Sequence, residues 1–169
     1  MYKTYYKTPI GYAEITANDK AILSVSLVDQ PAAEEVSDAV VLDVPVLKQC
    51  IQQLNEYFSG KRTDFSFAID RVSGTNFQKK VWSALEKIPY GKTVSYEDVA
   101  IAVGSPKAVR AVGLANSKNP HWVVVPCHRV IGKNKKLVGY AGGLDRKKWL
   151  LDHEIGTSYS SSKNTSPAV

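Results

Sequence analysis

Residues 95–116 read SYEDVAIAVGSPKAVRAVGLAN. Ser95 and Asp98 have the spacing of a capping box, in which each side chain accepts from the other residue's backbone N–H. They open a helix that continues to about Val103, where Gly104 stops it. Ser105-Pro106 predicts a second helix at once, a serine cap with proline at the first helical position, running to about Asn116. Two short helices joined by a glycine turn have the layout of a helix-turn-helix unit. The second helix carries Lys107 and Arg110 among the small residues Ala108, Ala111, Gly113 and Ala115. Small side chains let a helix come close to nucleic acid, and arginine reaches phosphates or base edges. The same helix pairing occurs in proteins that never touch DNA, so the motif alone leaves function open.

Charge adds to it. The chain of 169 residues carries a net charge of +6, unevenly spread. Residues 1–70 hold 6 Lys+Arg against 10 Asp+Glu, and residues 71–169 hold 16 against 6. A basic second part suits a polyanion such as nucleic acid, although basic residues also simply keep a chain soluble. The length allows one domain or two small ones. A hydrophobic fraction of 44% supports a core and excludes a wholly disordered chain. No stretch approaches the ~18 apolar residues that span a bilayer. The start, MYKTYYKTPI, has no apolar signal region. Two cysteines, Cys50 and Cys127, make no disulfide framework, and a reducing compartment fits. The expected location is cytoplasmic, or nuclear in a eukaryote.

Upstream, Tyr2–Thr8, Gly11–Ala17 and Ala21–Val28 read as an antiparallel meander, with turn signals at Pro9-Ile10-Gly11 and Asn18-Asp19-Lys20. Residues 29–43 read as an acidic loop. Pro45 to Phe58 reads as a helix whose apolar stripe is Leu47, Cys50, Ile51, Leu54 and Phe58. Asp64–Ile69 adds a candidate strand. Thr75 and Gln78 form another capping box ahead of Phe77, Val81, Leu85 and Ile88. Downstream, Val123–Val125 reads as buried and extended, Lys133–Lys136 as a basic loop, and Tyr140–Gly143 as a glycine loop. The last helix spans about Leu144 to His153, with Trp149, Leu150 and Leu151 inward. The fold class is α/β (α+β) in two parts. Residues 1–72 form a small antiparallel sheet with a flanking helix, residues 73–156 a mostly helical domain, and residues 157–169 a disordered tail.

Cys127 sits where the apolar run ends, with His128 and Arg129 following. A thiolate is a nucleophile, a nearby cation favours it, and histidine is a suitable base directly or through a water. Neighbours in an extended chain point opposite ways, so the pair needs a turn or a bridging water. His128 needs an orienting partner, for which Glu154 at the end of the last helix is the candidate. A lone cysteine after three valines, taken by itself, reads more readily as a buried structural thiol. Cys50, on a helix stripe, is assigned no chemistry. With three histidines and no paired Cys/His spacing, no metal site is expected, and no phosphate or dinucleotide loop is present.

Five ordered blocks then agree: GTNFQKKVW (74–82), IPYGKTVSY (88–96), KAVRAVG (107–113), PCHRV (126–130, after Asn119-Pro120) and GYAGGLDRKKWLLDHE (139–154). Together they resemble the O6-alkylguanine-DNA alkyltransferases, from about Gly74 to Gly156. The first part resembles that family only in size and strand content. The resemblance implies a protein that binds duplex DNA through the minor groove and flips an alkylated guanine into a pocket. It then moves the alkyl group irreversibly to its own cysteine, once and without a cofactor. By position, Cys127 is the acceptor, His128 its base through a water, Glu154 the partner of His128, and Asn119 a brace of the turn. Tyr96 meets the flipped base and helps protonate it. Main-chain groups of Cys127 and Val130, with Tyr140 and Ala141, line the base pocket. Arg110 replaces the flipped nucleotide in the stack, and Lys107, Ala108, Ala111 and Ser95 face DNA. Arg129 holds the two parts of the protein together.

Departures from the family pattern are Ala141, where some relatives have serine, and Trp122, a large residue expected in the pocket wall. Some relatives also hold a structural zinc, for which this chain has no suitable ligands. The protein is expected to act as a monomer, with no membrane. Three other readings stand beside the repair protein: a lesion binder that transfers nothing, a helix-turn-helix regulator with Cys127 as sensor, and a Cys-His hydrolase. Cys127 argues against the first. No cysteine-rich metal domain supports the second, and nothing in the helix-turn-helix supports the third.

Overall fold

Short runs rich in tyrosine and β-branched residues, punctuated by turn residues, form strands β1 (Tyr2–Thr8), β2 (Gly11–Ala17) and β3 (Ile22–Val28). They pair antiparallel in that order. The computed structural model describes residues 1–31, 43–133 and 143–158. β3 begins one residue later than its composition predicts, because the Ala21 N–H turns to the Asn18 side chain at 2.8 Å. Along β2 the pleat buries Ala13, Ile15 and Ala17. Helix α1 (Pro45–Phe58) lies against all three strands, with proline at its start. Its buried line is Leu47, Cys50, Leu54 and Tyr57, rotated from the expected stripe. Ile51 and Phe58 sit half-buried at the edge, while Tyr57 packs 5.1 Å from Phe58 and 5.5 Å from Phe65.

Asp64–Ile69 is not a strand. Gln53, buried on α1, accepts from the Ser66 N–H at 2.9 Å and donates to its hydroxyl at 2.8 Å. A helix side chain thus takes the amide a sheet partner would need. What remains is one bridge, Ile22 to Ile69.

The chain divides into two units, and the division is not a single cut. Pro120–Val124 joins Met1–Val72, while the second unit is built on residues 73–119 and the chain from 125 on. The Val25 N–H donates to the Pro120 carbonyl at 2.8 Å, and the Trp122 N–H to the Val25 carbonyl at 2.9 Å. Trp122 stacks on Phe58 at 6.2 Å and is buried in the first unit. The three valines that follow do not extend. The Val124 N–H donates to the Trp122 carbonyl at 2.8 Å, and Val123 has φ 69°. This is a tight γ-turn that costs a β-branched residue strain, so tertiary context overrides β-propensity here.

In the second unit both capping boxes form. Thr75 and Gln78 open α2 (Asn76–Leu85); Ser95 and Asp98 open α3 (Tyr96–Ala102). Gly104, at φ 79°, ends α3 with a paired cap. Its N–H donates to the Ile101 carbonyl at 3.0 Å, and the Ser105 N–H to the Ala100 carbonyl at 2.9 Å. Ser105 is thereby spent on the helix behind it. Residues 105–108 make a β-turn closed by the Ala108 N–H on the Ser105 carbonyl at 2.9 Å. Pro106 fits the second position of such a turn as well as it fits a helix start. Helix α4 therefore runs Val109–Ser117 rather than from Pro106. Lys107 lies in the turn, and Ala108 flanks the helix without a side-chain cap. The Trp82 indole N–H donates to the Ala115 carbonyl at 2.8 Å, pinning α2 to α4.

A two-residue parallel ladder, β4 (Val94–Ser95) with β5 (Val130–Ile131), joins the start of α3 to the chain after Arg129. Helix α5 (Leu144–Ser158) is longer than predicted, so Glu154 lies within it rather than at its end. Leu150 and Leu151 point inward; Trp149 is half-buried instead, stacked on His153 at 5.0 Å. The central part of the acidic loop (32–42), the segment 134–142 with Tyr140 and Ala141, and 159–169 of the expected tail lie outside the described residues. Among the described residues no helix is long and apolar enough to cross a membrane.

Gly74 leads into the capping box of α2 at φ 102°, and a Cβ there would sit 2.6 Å from the Trp82 ring. Gly74→Ala is expected to cost about 2 kcal/mol. Thermal unfolding should show it as a midpoint lower by several degrees.

Candidate active site

The sequence left open how Cys127 and His128 share a site. The backbone answers with two consecutive tight turns. Pro126 (φ −80°, ψ 66°) makes an inverse γ-turn, the Cys127 N–H donating to the Val125 carbonyl at 2.8 Å. Cys127–Arg129 then form one turn of 3₁₀ helix, leading into β5. Side chains on such a turn fan out at roughly 120° instead of alternating. Two asparagines brace it from outside. Asn119 Nδ2 donates to the Val125 carbonyl at 2.8 Å, and Asn116 Nδ2 to the Cys127 carbonyl at 3.2 Å. Sequence reasoning named Asn119 and missed Asn116. The signal for Asn116 was present, a polar residue where α4 turns its inward face.

His128 is fully buried, its Nε2 2.6 Å from Glu154 Oε2. Burial pushes the Glu154 carboxyl up, but His128 and then Arg129 outweigh it and hold it well below the usual range. A carboxylate at Oε2 requires the hydrogen of His128 on Nε2. Nδ1 then carries the lone pair, buried and without a hydrogen-bond partner among the described residues. Burial lowers the pKa of His128 from its ordinary value, against the pull of Glu154. The imidazole is therefore neutral near pH 7 and can take a proton.

Arg129 donates from Nε to Glu154 Oε1 at 2.8 Å and from Nη2 to Oε2 at 3.1 Å. Its Nη1 donates to the Ile88 carbonyl at 2.7 Å, and it lies 5.6 Å from the Tyr90 ring centre. All of these partners are in the second unit, so Arg129 braces that unit internally, not the junction expected of it. The Gly91 N–H adds a fourth donor to Glu154 at 3.2 Å.

Tyr96 is the first residue of α3, just after the β4–β5 ladder, and is 9% exposed. Burial and then the charge of Cys127 push its pKa up, while the Asn116 amide pulls it back. Lys147, absent from the sequence reading, is completely buried on α5 with its ammonium 5.7 Å from the Tyr96 ring centre. Burial lowers it to about 8, and the nearby Cys127 charge opposes that. Its place three and four residues before Leu150 and Leu151 puts it on the inward face, a signal that periodicity offered. Cys50, by contrast, is pushed up to about 12 by burial alone and is inert.

Of the expected DNA-facing residues, Arg110 and Ala111 are exposed on α4, while Lys107 and Ala108 sit in the preceding turn. The Ser95 hydroxyl is engaged in the cap of α3. Val130 is buried in β5, its N–H on the Cys127 carbonyl. Trp122 packs in the first unit's core, stacked on Phe58.

This geometry has relatives. The model of the 6-O-methylguanine DNA methyltransferase DNA binding domain matches residues 76–156, and that of its ribonuclease-like domain matches residues 1–71. The chain belongs to the 6-O-methylguanine DNA methyltransferase family. The match takes in the first unit, where motifs had offered only size and strand content. A methylated-DNA–protein-cysteine methyltransferase of Methanosarcina acetivorans is 43% identical over 154 residues, 91% of this chain and 98% of that one. The constitutive one of Bacillus subtilis is 47% identical over 157 residues, covering 90% and 94%. The crystal structure of Mycobacterium tuberculosis OGT in complex with DNA superposes with a TM-score of 0.82 at 39% identity, covering 93% and 94%.

Removing the carboxylate charge tests the hub of this family member. Glu154→Gln leaves Arg129 buried without a counter-charge and is expected to cost about 3–5 kcal/mol in chemical denaturation. Because the folded pKa of Glu154 is depressed, its contribution is complete above the unfolded carboxyl range, near pH 4.3. It is lost as pH falls from there toward the folded pKa. Glu154→Gln should remove that part of the acid dependence of stability.

Proposed function

We propose that this protein repairs DNA by direct reversal, as a methylated-DNA–protein-cysteine methyltransferase that moves the alkyl group of O6-alkylguanine onto Cys127. The observation that carries the reading is the buried Glu154–His128 pair, which leaves a neutral, lone-pair-bearing Nδ1 on the residue next to Cys127, a thiol outside any disulfide. A water between Nδ1 and Cys127 passes the thiol proton to His128, and Glu154 stabilises the imidazolium that forms. The buried Lys147 ammonium favours the thiolate electrostatically. The thiolate attacks the alkyl carbon in line. A carbon–sulfur bond forms as the carbon–O6 bond breaks, and the bonding pair leaves with the purine. Tyr96 supplies the proton that restores guanine and recovers one from solvent when the base departs. The thioether is stable, so each molecule acts once.

The base must leave the duplex to reach a cysteine that is 6% exposed. Flipping costs a few kcal/mol of unstacking and costs least at a damaged pair. Arg110, exposed on α4, fills the stack behind it, and the Lys107–Ala108 turn and Ala111 lie against the minor groove, where small side chains permit close approach. Val130, buried beside the Cys127 turn, lines the base pocket. The protein works as a monomer in the cytoplasm. The alternative, a lesion binder without transfer, leaves the Cys127 thiol beside a built base unexplained.

Intact-protein mass after mixing with a duplex containing one O6-methylguanine tests the reaction. Wild type should gain one methylene mass, mapped by peptide to Cys127, and Cys127→Ser nothing. Lesion binding with unchanged mass would make the protein a sensor. Phosphate contacts should also make duplex affinity fall with salt, log K dropping by about 0.9 per log unit of salt for each neutralised phosphate. An affinity indifferent to salt would contradict the DNA-binding mode.

A further inference from the structure

Asn116 has no part in the mechanism above, yet it touches both sides of the reaction. It sits on the last full turn of α4 and is 2% exposed. Its Nδ2 donates to the main-chain carbonyl of Cys127 at 3.2 Å, and its Oδ1 is buried without a partner among the described residues. A polar side chain this enclosed costs folding energy unless its hydrogen bonds are used.

The Tyr96 ring lies along the same helix. A Cβ at Gly113 would be 3.9 Å from ring atoms Cδ1 and Cε1. Gly113 and Asn116 are three residues apart and share a helix face. One side of the ring therefore borders Gly113, on the helix face that Asn116 shares. An amide nitrogen has two hydrogens. One is on the Cys127 carbonyl, which leaves the second for another acceptor. The electrostatics agree in direction, because the Asn116 amide lowers the phenol pKa, as a donor to that oxygen does, against burial and the Cys127 charge.

We propose that Asn116 is a positioning residue for alkyl transfer. Its amide donates to the Tyr96 hydroxyl oxygen and so turns the phenol hydrogen toward the departing guanine, while tying that tyrosine to the Cys127 turn. A hydroxyl that accepts from the Asn116 amide keeps its own hydrogen for another acceptor, and the departing base is that acceptor. The proton balance is unchanged: carbon–sulfur forms, carbon–O6 breaks, and Tyr96 protonates the purine. The inference rests on the alkyl-transfer reading and adds a residue to it.

A double-mutant cycle between Asn116→Leu and Tyr96→Phe decides it. Single-turnover rate constants are measured by rapid quench with protein in excess over an O6-methylguanine duplex. Duplex affinity is measured by fluorescence anisotropy in a Cys127→Ser background. Asn116→Leu should slow transfer about tenfold, a part of what general acid catalysis supplies, and change affinity less than twofold. In the Tyr96→Phe background the same change should slow transfer no further. Asn116→Asp keeps the shape and removes both donor hydrogens, and should also be slow. Full rate in Asn116→Asp, or losses that multiply in the double mutant, would overturn the role of Asn116 while leaving transfer intact. A wild type that gains no methyl mass would instead overturn the reading beneath it.

Discussion

One buried carboxylate organises the second unit. Glu154 receives four donors: the His128 ring, two nitrogens of Arg129 and the Gly91 N–H. A charge taken out of water is tolerable only when paired and fully hydrogen-bonded, and this one is. The arrangement has three consequences at once. It sets the His128 tautomer, it offsets the buried charge of Arg129, and it ties the Cys127–Arg129 turn to α5 and to the turn at Gly91. Structure and reactivity are inseparable here, because the group that orients the base is also the counter-charge that makes Arg129 affordable inside the fold.

Around that hub, very short elements do the positioning. The catalytic turn spans three residues and the ladder beside it only two on each strand. Neither would persist alone; each is over-determined by side chains. Asn116 and Asn119 hold carbonyls of the turn, and Arg129 holds the Ile88 carbonyl. The β4–β5 ladder then places Tyr96 next to the turn, because Tyr96 is the residue after Ser95 and Val130 the residue after Arg129. Tyr96 also opens the first helix of the helix-turn-helix. The tyrosine proposed to meet the base and the helix pair proposed to meet DNA are thus joined by adjacent peptide bonds.

Much of the fold was legible where a local rule has few competitors. The boxes at Thr75/Gln78 and Ser95/Asp98 formed as read, and so did α1 between Pro45 and Phe58. Errors arose where one signal serves two structures. Ser105-Pro106 fits a helix start and a β-turn equally, and the demand of α3 for a terminal donor chose the turn. Val123–Val125 has strand composition, but the pairing of Trp122 with Val25 ends the ladder and forces a reversal. Tyr57 took the buried place expected of Phe58 through an aromatic contact that no helical period encodes.

The sequence by itself determined the two-part α/β character, the basic second part, the helix-turn-helix and the adjacency of Cys127 and His128. Each is written within a few residues, as caps, periods, charge and adjacency. Only the tertiary structure decided that Arg129 serves Glu154, that Trp122 belongs to the first unit, and that Lys147 and Asn116 stand beside Tyr96. The reason is physical. Those roles depend on contacts between residues tens of positions apart in a desolvated interior, where one charge or amide changes the meaning of the next. Local pattern carries no information on which distant group will be there to meet it.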